Sequence, residues 1–187
     1  MTDDWRARLE AEREQKAEYF ASHPRSPIPE GHDFAGLSHF PIDPAYRFEV
    51  ELHEDEDREQ LAVETTTEGE RQYVRWGSFE VTVDGVAVTV HAYKPATGED
   101  RLWVPFRDAT SGDSTYGAGR YIDLDPEDHQ SDDGRWILDF NAAYNPTCAY
   151  NHGFECPLPP RENWLDVAIE AGEKDYPGDP VEPGHHH

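Results

Sequence analysis

The chain has 187 residues and carries 40 acidic against 16 basic side chains, a formal charge of −24. That charge repels phosphate backbones and argues against nucleic acid as a partner. No apolar run reaches the roughly 18 residues that span a bilayer, so no membrane partner is expected, and Met1-Thr2-Asp3-Asp4 lacks the basic-then-apolar order of a secretion signal, which points to the cytosol. A hydrophobic fraction of 36% is low, but 12% aromatic residues exceeds what disordered chains carry. The length suits one core of about 150 ordered residues. Lys16, Lys94 and Lys174 are the only lysines, and the acid is spread along the whole chain. Dispersed acid points to a surface tuned to its solvent. At molar salt, where the Debye length is about 3 Å, its self-repulsion is screened. The expectation is a salt-adapted cytosolic protein.

Residues 3–20 read as an exposed helix, with Asp3 and Asp4 at its positive end, Glu12 and Lys16 as an i,i+4 pair and a thin stripe of Trp5, Leu9 and Phe20. Pro24, Pro27 and Pro29 then make an extended connector, so residues 1–33 form a helix and linker. From residue 46 the hydrophobic period becomes two: 46–52 and 61–65 read as strands around an acidic loop at 53–60. Strands 79–83 and 86–90 flank Asp84-Gly85, the preferred type I′ hairpin turn. Further strands are expected at 71–76, 102–106, 120–124 and 135–140, with Pro105 marking an edge. About eight short strands without βαβ alternation predict a mainly β fold, an antiparallel barrel or sandwich over residues 34–173. A stripe of Trp164, Leu165, Ala168 and Ile169 predicts a short C-terminal helix over 161–171, stopped by Gly172. Residues 174–187 read as a disordered acidic tail, whose terminal His185, His186 and His187 are set aside from every metal argument.

Two segments are too rich in polar side chains for ordinary turns. The first, 105–121, offers Asp108, Thr110, Tyr116 and a Gly117/Gly119 pair, with Arg120 as an anchor for a carboxylate or phosphate. A dinucleotide fingerprint would need a glycine where Ile122 stands and a helix rather than a strand after it. The second, 139–163, offers Asp139, Asn141, Tyr144, Asn145, Cys148 and Tyr150 in a run that fits neither helix nor ladder. The series DFN-x-AYNP-x-CAY, CPLPP-x-EN-x-L and AGE, with the upstream PF-x-D-x-T-x-G-x-x-TYGAGRY-x-D, resembles the uncharacterised family known as domain of unknown function 1684, from about residue 34 to 173. The resemblance implies a family and no activity.

Cys148 and Cys156, with His152 between them, are too few and too oddly spaced for a zinc set. A disulfide conflicts with a reducing cytosol. Cys148 as a nucleophile would use His152 or His129 as base and Asn145 as orienter; two buried thiols are the plainer reading. Trp76, Phe79, Trp103, Phe106, Tyr121, Trp136, Phe140 and Tyr144 serve equally as core or as the lining of an apolar cavity. Three functions compete. The first is a small-molecule-binding domain whose mouth lies between loops 107–119 and 141–160, with Asp108, Thr110, Tyr116, Arg120, Asp139, Asn141, Tyr144, Asn145, Cys148 and Tyr150 as contacts. The second is an enzyme on the same surface, with Asp108 or Asp139 as base and Tyr116, Tyr144 or Cys148 in proton or acyl transfer. The third is a non-catalytic interaction domain. The residues name no cofactor.

The charge pattern generates a test: far-ultraviolet circular dichroism in dilute buffer should show strong loss of structure that molar KCl restores. A spectrum indifferent to salt ends the salt-adaptation reading.

Overall fold

In the computed structural model, which describes residues 2–29, 31–67 and 69–182, Asp84 and Gly85 both take positive φ, 49° and 80°. That is what a type I′ turn requires, and the hairpin it closes is the centre of the fold. Its arms are β4 (Glu70–Val83) and β5 (Val86–Pro95), paired from Val83↔Val86 out to Tyr73↔Pro95. The strands expected at 71–76 and 79–83 are therefore one. A register shift between Arg75 and Gly77 absorbs the break in their alternation. Beyond β5 come β6 (Leu102–Phe106) and β7 (Arg120–Leu124); on the other edge of β4 lie β2 (His53–Glu54) and β3 (Gln60–Glu64). All pairs are antiparallel, and the six-stranded sheet stays open, so it is not a closed barrel.

The segment at 53–60 is not a simple hairpin loop. β1 (Arg47–Val50) leaves for a second, two-stranded sheet, where it pairs with β8 (Trp136–Asp139). Phe79, Val81, Val90, Leu102, Val104, Phe106, Ile122, Leu124, Leu138 and Phe140 fill the main core, with Phe48 and Val50 packed on it. Trp103 and Tyr121 alternate to the opposite face of β6 and β7, beside Tyr93, Val63 and Tyr144. The aromatic residues offered as cavity lining are thus divided. Phe79, Phe106, Trp136 and Phe140 belong to the main core, Trp76 packs against it, and Trp103, Tyr121 and Tyr144 sit on the other face.

Pro105 does not mark an edge, for β6 lies between β5 and β7. Proline lacks a ladder donor, and only Tyr93↔Trp103 pairs β5 with β6. The fully buried Asn163 bridges the two strands. Its Oδ1 accepts the His91 N–H at 2.8 Å, and its Nδ2 donates to the carbonyls of His91 at 2.8 Å and Pro105 at 2.7 Å.

The expected C-terminal helix is also absent. Only a 3-10 turn forms, Arg161–Asn163. The chain then runs in irregular conformation because the backbone of Arg107 and Ala109 takes the carbonyls of Asn163 and Val167 and the N–H of Leu165, and distant side chains take the groups that follow. The Arg120 guanidinium, with no exposed surface, donates to the carbonyls of Ala171 at 2.5 Å, Ile169 at 2.9 Å and Glu173 at 3.2 Å. Asp108 Oδ2 accepts the Ile169 N–H at 2.6 Å, while Oδ1 faces Arg120 at 3.5 Å. Gly172, expected to stop a helix, has φ 81° and passes so close to the Phe140 carbonyl that a Cβ would lie 2.6 Å from that oxygen.

The N-terminal helix α1 (Thr2–Ser22) is as expected and lies across the domain, burying Leu9 and Phe20. Residues 174–182 are packed, contrary to the loose tail that an acidic, proline-rich composition suggests. Tyr176 and Val181 are buried beside Phe20, Ile28 and Tyr150, and Val181 exchanges backbone hydrogen bonds with Tyr150 and His152. The terminal histidines lie outside the described residues. Among the described residues no helix is long and apolar enough to cross a membrane.

Asp108→Ala should lower the unfolding free energy by about 3–5 kcal/mol, because it leaves a buried guanidinium without its counter-charge. Denaturant unfolding measures this, and a loss under about 1 kcal/mol would show that the ion pair does not organise the segment.

Candidate functional site

The ten residues offered as ligand contacts fall into three places. Asp108, Thr110 and Arg120 are interior: Thr110 Oγ1 donates to both Asp108 oxygens, at 2.9 and 2.8 Å, and the Arg120 NH groups are committed to Asp108 and three carbonyls. The guanidinium read as an anion anchor therefore holds main chain.

Tyr116 and Cys148 make the second place, where the two signature loops meet. Tyr116 Oη and Cys148 Sγ are 3.3 Å apart, and the Cys156 Sγ accepts the Cys148 N–H at 3.3 Å. The meeting is filled by packed side chains, with Ala149, Tyr150, Tyr176 and Val181 buried around the half-buried Tyr116. The shared mouth expected between loops 107–119 and 141–160 is thus corrected to a solid contact. Both cysteines are free and buried. A thiol-to-thiol hydrogen bond from Cys156 brings the Cys148 thiol down to about 6 against the opposing effect of burial, helped by Tyr116 and Thr66; that thiol-to-thiol bond, followed by burial, pushes Cys156 up. The proposed bases are elsewhere engaged: His129 Nδ1 accepts the Asp125 N–H at 2.9 Å, and His152 Nδ1 lies 2.7 Å from Glu182. Among the described residues no three His, Cys, Asp or Glu side chains converge as a metal set.

Asp139, Asn141, Tyr144, Asn145 and Tyr150 form the third place, and here there is open volume. β8 ends in a 3-10 turn, Phe140–Ala142, capped by Asp139, whose Oδ1 accepts the Asn141 N–H at 2.9 Å. Asn141 pins this turn to the 3-10 turn Pro44–Tyr46 that leads into β1, accepting from the Asp43 N–H at 2.9 Å and donating to its carbonyl at 2.8 Å. Helix α1 is laid over the turn by polar contacts. Trp5 Nε1 donates to Asp139 Oδ2 at 2.7 Å, Arg13 donates to the carbonyls of Phe40 and Asn141, each at 3.2 Å, and Lys16 Nζ reaches Glu173 Oε1 at 2.7 Å. Lys16 thus passes over the Glu12 partner that helix spacing offers. Two voids remain under the helix, both lined by Leu9, Glu12 and Ala142. The larger, about 380 Å³, is bounded by Trp5, Arg8, Pro44, Arg47, Ile137 and Asp139. The smaller, about 240 Å³, is bounded by Lys16, His39, Asn141, Tyr144 and Glu173.

The smaller void is an electrostatic junction. Glu173 is 1% exposed. Its Oε1 takes the Asn145 N–H at 3.0 Å besides Lys16, and its Oε2 takes the Tyr150 hydroxyl. Burial and this carboxylate hold the Tyr150 phenol well above its ordinary value. Tyr144 donates its hydroxyl to Asp123, and burial followed by that carboxylate raises its phenol too. His39 is pushed down to about 4, chiefly by burial and next by Arg13, with Glu173 opposing. Sequence reasoning placed Asp139, Asn141, Tyr144, Asn145 and Tyr150 in one loop but missed Glu173, His39, Arg13 and Lys16. Glu173 closes the AGE signature, which is the signal that was available for it.

Comparison with known proteins adds family without activity. A family model described as protein of unknown function (DUF1684) matches residues 32–174. No curated protein matches. The solution structure of the uncharacterised protein from gene locus rrnAC0354 of Haloarcula marismortui is 42% identical, covers 92% of this chain and 95% of its own, and superposes with a TM-score of 0.70.

The depressed His39 value fixes a direction for pH dependence. Between pH 6.5 and about 4 the unfolded chain takes up a proton that the folded protein refuses, so stability falls as pH drops through that window and is unaffected above it. His39→Gln should flatten that part of the decline, read from urea midpoints at pH 7.5 and 4.5. An identical decline in both proteins would assign it to other groups.

Proposed function

We propose that this chain, which belongs to the DUF1684 family, is a small-molecule-binding β domain whose ligand seats beneath α1, against the turn that follows β8. The observation that carries the reading is the convergence of Asn141, Tyr144, His39 and Glu173 on the 240 Å³ void, continuous in its lining with the 380 Å³ void beside it. Ligand sites are concave, partly apolar and furnished with a few convergent polar groups of shifted pKa. The groove has each of these. Leu9, Ala142 and Ala143 supply apolar wall, and the ionisable groups lie at one end. The work is assigned to the cytosol at high salt. What supports this is the −24 charge and the likeness to a protein from a halophile.

Ala142 is exposed and lines both voids, so Ala142→Trp blocks the groove without touching the core. A fragment library screened by ligand-observed magnetic resonance in molar KCl should yield binders to the wild-type chain. Ala142→Trp should weaken them by about tenfold or more, some 1.4 kcal/mol, while its thermal midpoint stays within a few degrees. Binders indifferent to this substitution would place the site elsewhere, and an empty screen would leave the interaction-domain reading in front.

A further inference from the structure

A lysine facing a carboxylate is commonplace and contributes little when both are in water. The pair made by Lys16 and Glu173 differs from that case in what surrounds it. The Glu173 side chain is 1% exposed and the Lys16 side chain 27% exposed. The carboxylate is held from two sides by fixed donors, the Asn145 N–H and the Tyr150 hydroxyl. The Lys16 ammonium also stands over three aromatic rings, 5.5 Å from the centroid of Phe20, 5.3 Å from Tyr144 and 5.6 Å from Tyr150. Ring faces around a cation, closed on one side by a carboxylate, are the chemistry by which organic ammonium groups are recognised. The 240 Å³ void opens directly beside this cage, with Lys16, Tyr144 and Glu173 in its wall.

The occupant and most of the cage come from different parts of the chain, Phe20 alone of the three rings riding on α1 with Lys16. Tyr144, Tyr150 and Glu173 lie within residues 32–174, the span matched by the family model, whereas Lys16 arrives on α1, outside it. That helix has no continuous apolar stripe, and among its described side chains only Leu9 and Phe20 are buried, so its docking leans on polar contacts that open at modest cost.

We propose that the cage of Tyr144, Tyr150 and Glu173 is a binding site for the ammonium group of a small aliphatic amine, and that Lys16 is its resident occupant, displaced when the ligand enters. The ligand's alkyl body lies in the void against Leu9, Ala142 and Ala143, and its ammonium takes the place of Nζ between the rings and Glu173 Oε1. This deepens the proposed function and rests on the groove being the ligand site. It adds that the ligand is a cation and that α1 carries a built-in competitor for it.

The test titrates wild type and Lys16→Ala with n-butylammonium, butyrate and n-butanol at constant ionic strength, following the thermal midpoint and the ring resonances of Tyr144 and Tyr150. Lys16→Ala should bind n-butylammonium at least about tenfold more tightly than wild type does and regain midpoint on binding, while butyrate does neither. If Lys16→Ala is unfolded alone, n-butylammonium should restore its folded signal where butyrate does not. A folded variant that takes n-butanol or butyrate as well as the amine, or an unfolded one that the amine fails to restore, overturns the ammonium assignment. In that event n-butanol or butyrate shifting the groove resonances of wild type leaves the groove reading standing; no shift from any of the three removes both.

Discussion

One buried guanidinium fixes the course of the irregular segment from Ile169 to Glu173. Arg120 sits at the start of β7 with no contact with water, and a charge there is tolerated only if it is paired and its donors are satisfied. Asp108 supplies the counter-charge, and three carbonyls at Ile169, Ala171 and Glu173 take donors of the two terminal nitrogens, leaving Nε alone without a partner among the described residues. Alternate carbonyls of a segment that forms neither helix nor sheet are thus turned inward onto one side chain. Gly172 fits between them because the main chain must pass against the Phe140 carbonyl. The Glu173 side chain is then delivered under α1, next to Asn145 and Tyr150. The groove therefore depends on the clamp, although no atom of Arg120 lines it.

Parts of the fold were legible in sequence where their information is local, and illegible where distant groups decide the conformation. The β4–β5 hairpin was readable because its information is local: two residues able to take positive φ, between runs of period two. Strands β6 and β7 and helix α1 were readable for similar reasons. The stripe of Trp164, Leu165, Ala168 and Ile169 has helical spacing, but the carbonyls of Asn163 and Val167 accept the N–H groups of Arg107 and Ala109, and the N–H groups of Leu165 and Ile169 go to the Arg107 carbonyl and Asp108, so the i→i−4 bonds of a helix are already replaced by bonds to a segment more than 50 positions away. Pro105 was misleading in the same manner. Its missing donor does imply a gap in the ladder, and Asn163, 58 residues on, closes that gap with an amide group. Composition suggested disorder after residue 173, yet Tyr176 and Val181 find buried places beside Phe20 and Tyr150.

Legibility of the site follows the same division. The signature runs could be picked out as non-random, and five of the ten residues chosen do gather beneath α1. Residue type could not separate them from the rest. Arg120 and Asp108 have the chemistry of ligand contacts and are used as internal fastenings; Tyr116 and Cys148 join two loops across a packed contact. What distinguishes groove from fastening is burial and pairing between positions more than a hundred residues apart, such as Trp5 with Asp139 or Lys16 with Glu173. Helix spacing made Glu12 the natural partner of Lys16, and only the tertiary structure offers it a carboxylate already held by two other donors.

With 16 basic residues against 40 acidic, every cation in this chain has a surplus of possible partners, so the ones it takes are informative. Several are spent at joints between distant segments. Arg75 holds Asp55, Glu59 and Glu162 together, tying the β2–β3 segment and the 161–163 turn to the middle of β4. Arg6, Arg13 and Lys16 all reach from α1 into the domain, two of them to carbonyls. Contacts to carbonyls do not depend on an opposite charge, and the one ion pair among the three has a carboxylate withdrawn from solvent. Screening by salt weakens exposed pairs far more than these. Added salt therefore takes little from the contacts that seat this helix, poor in apolar surface, over the groove.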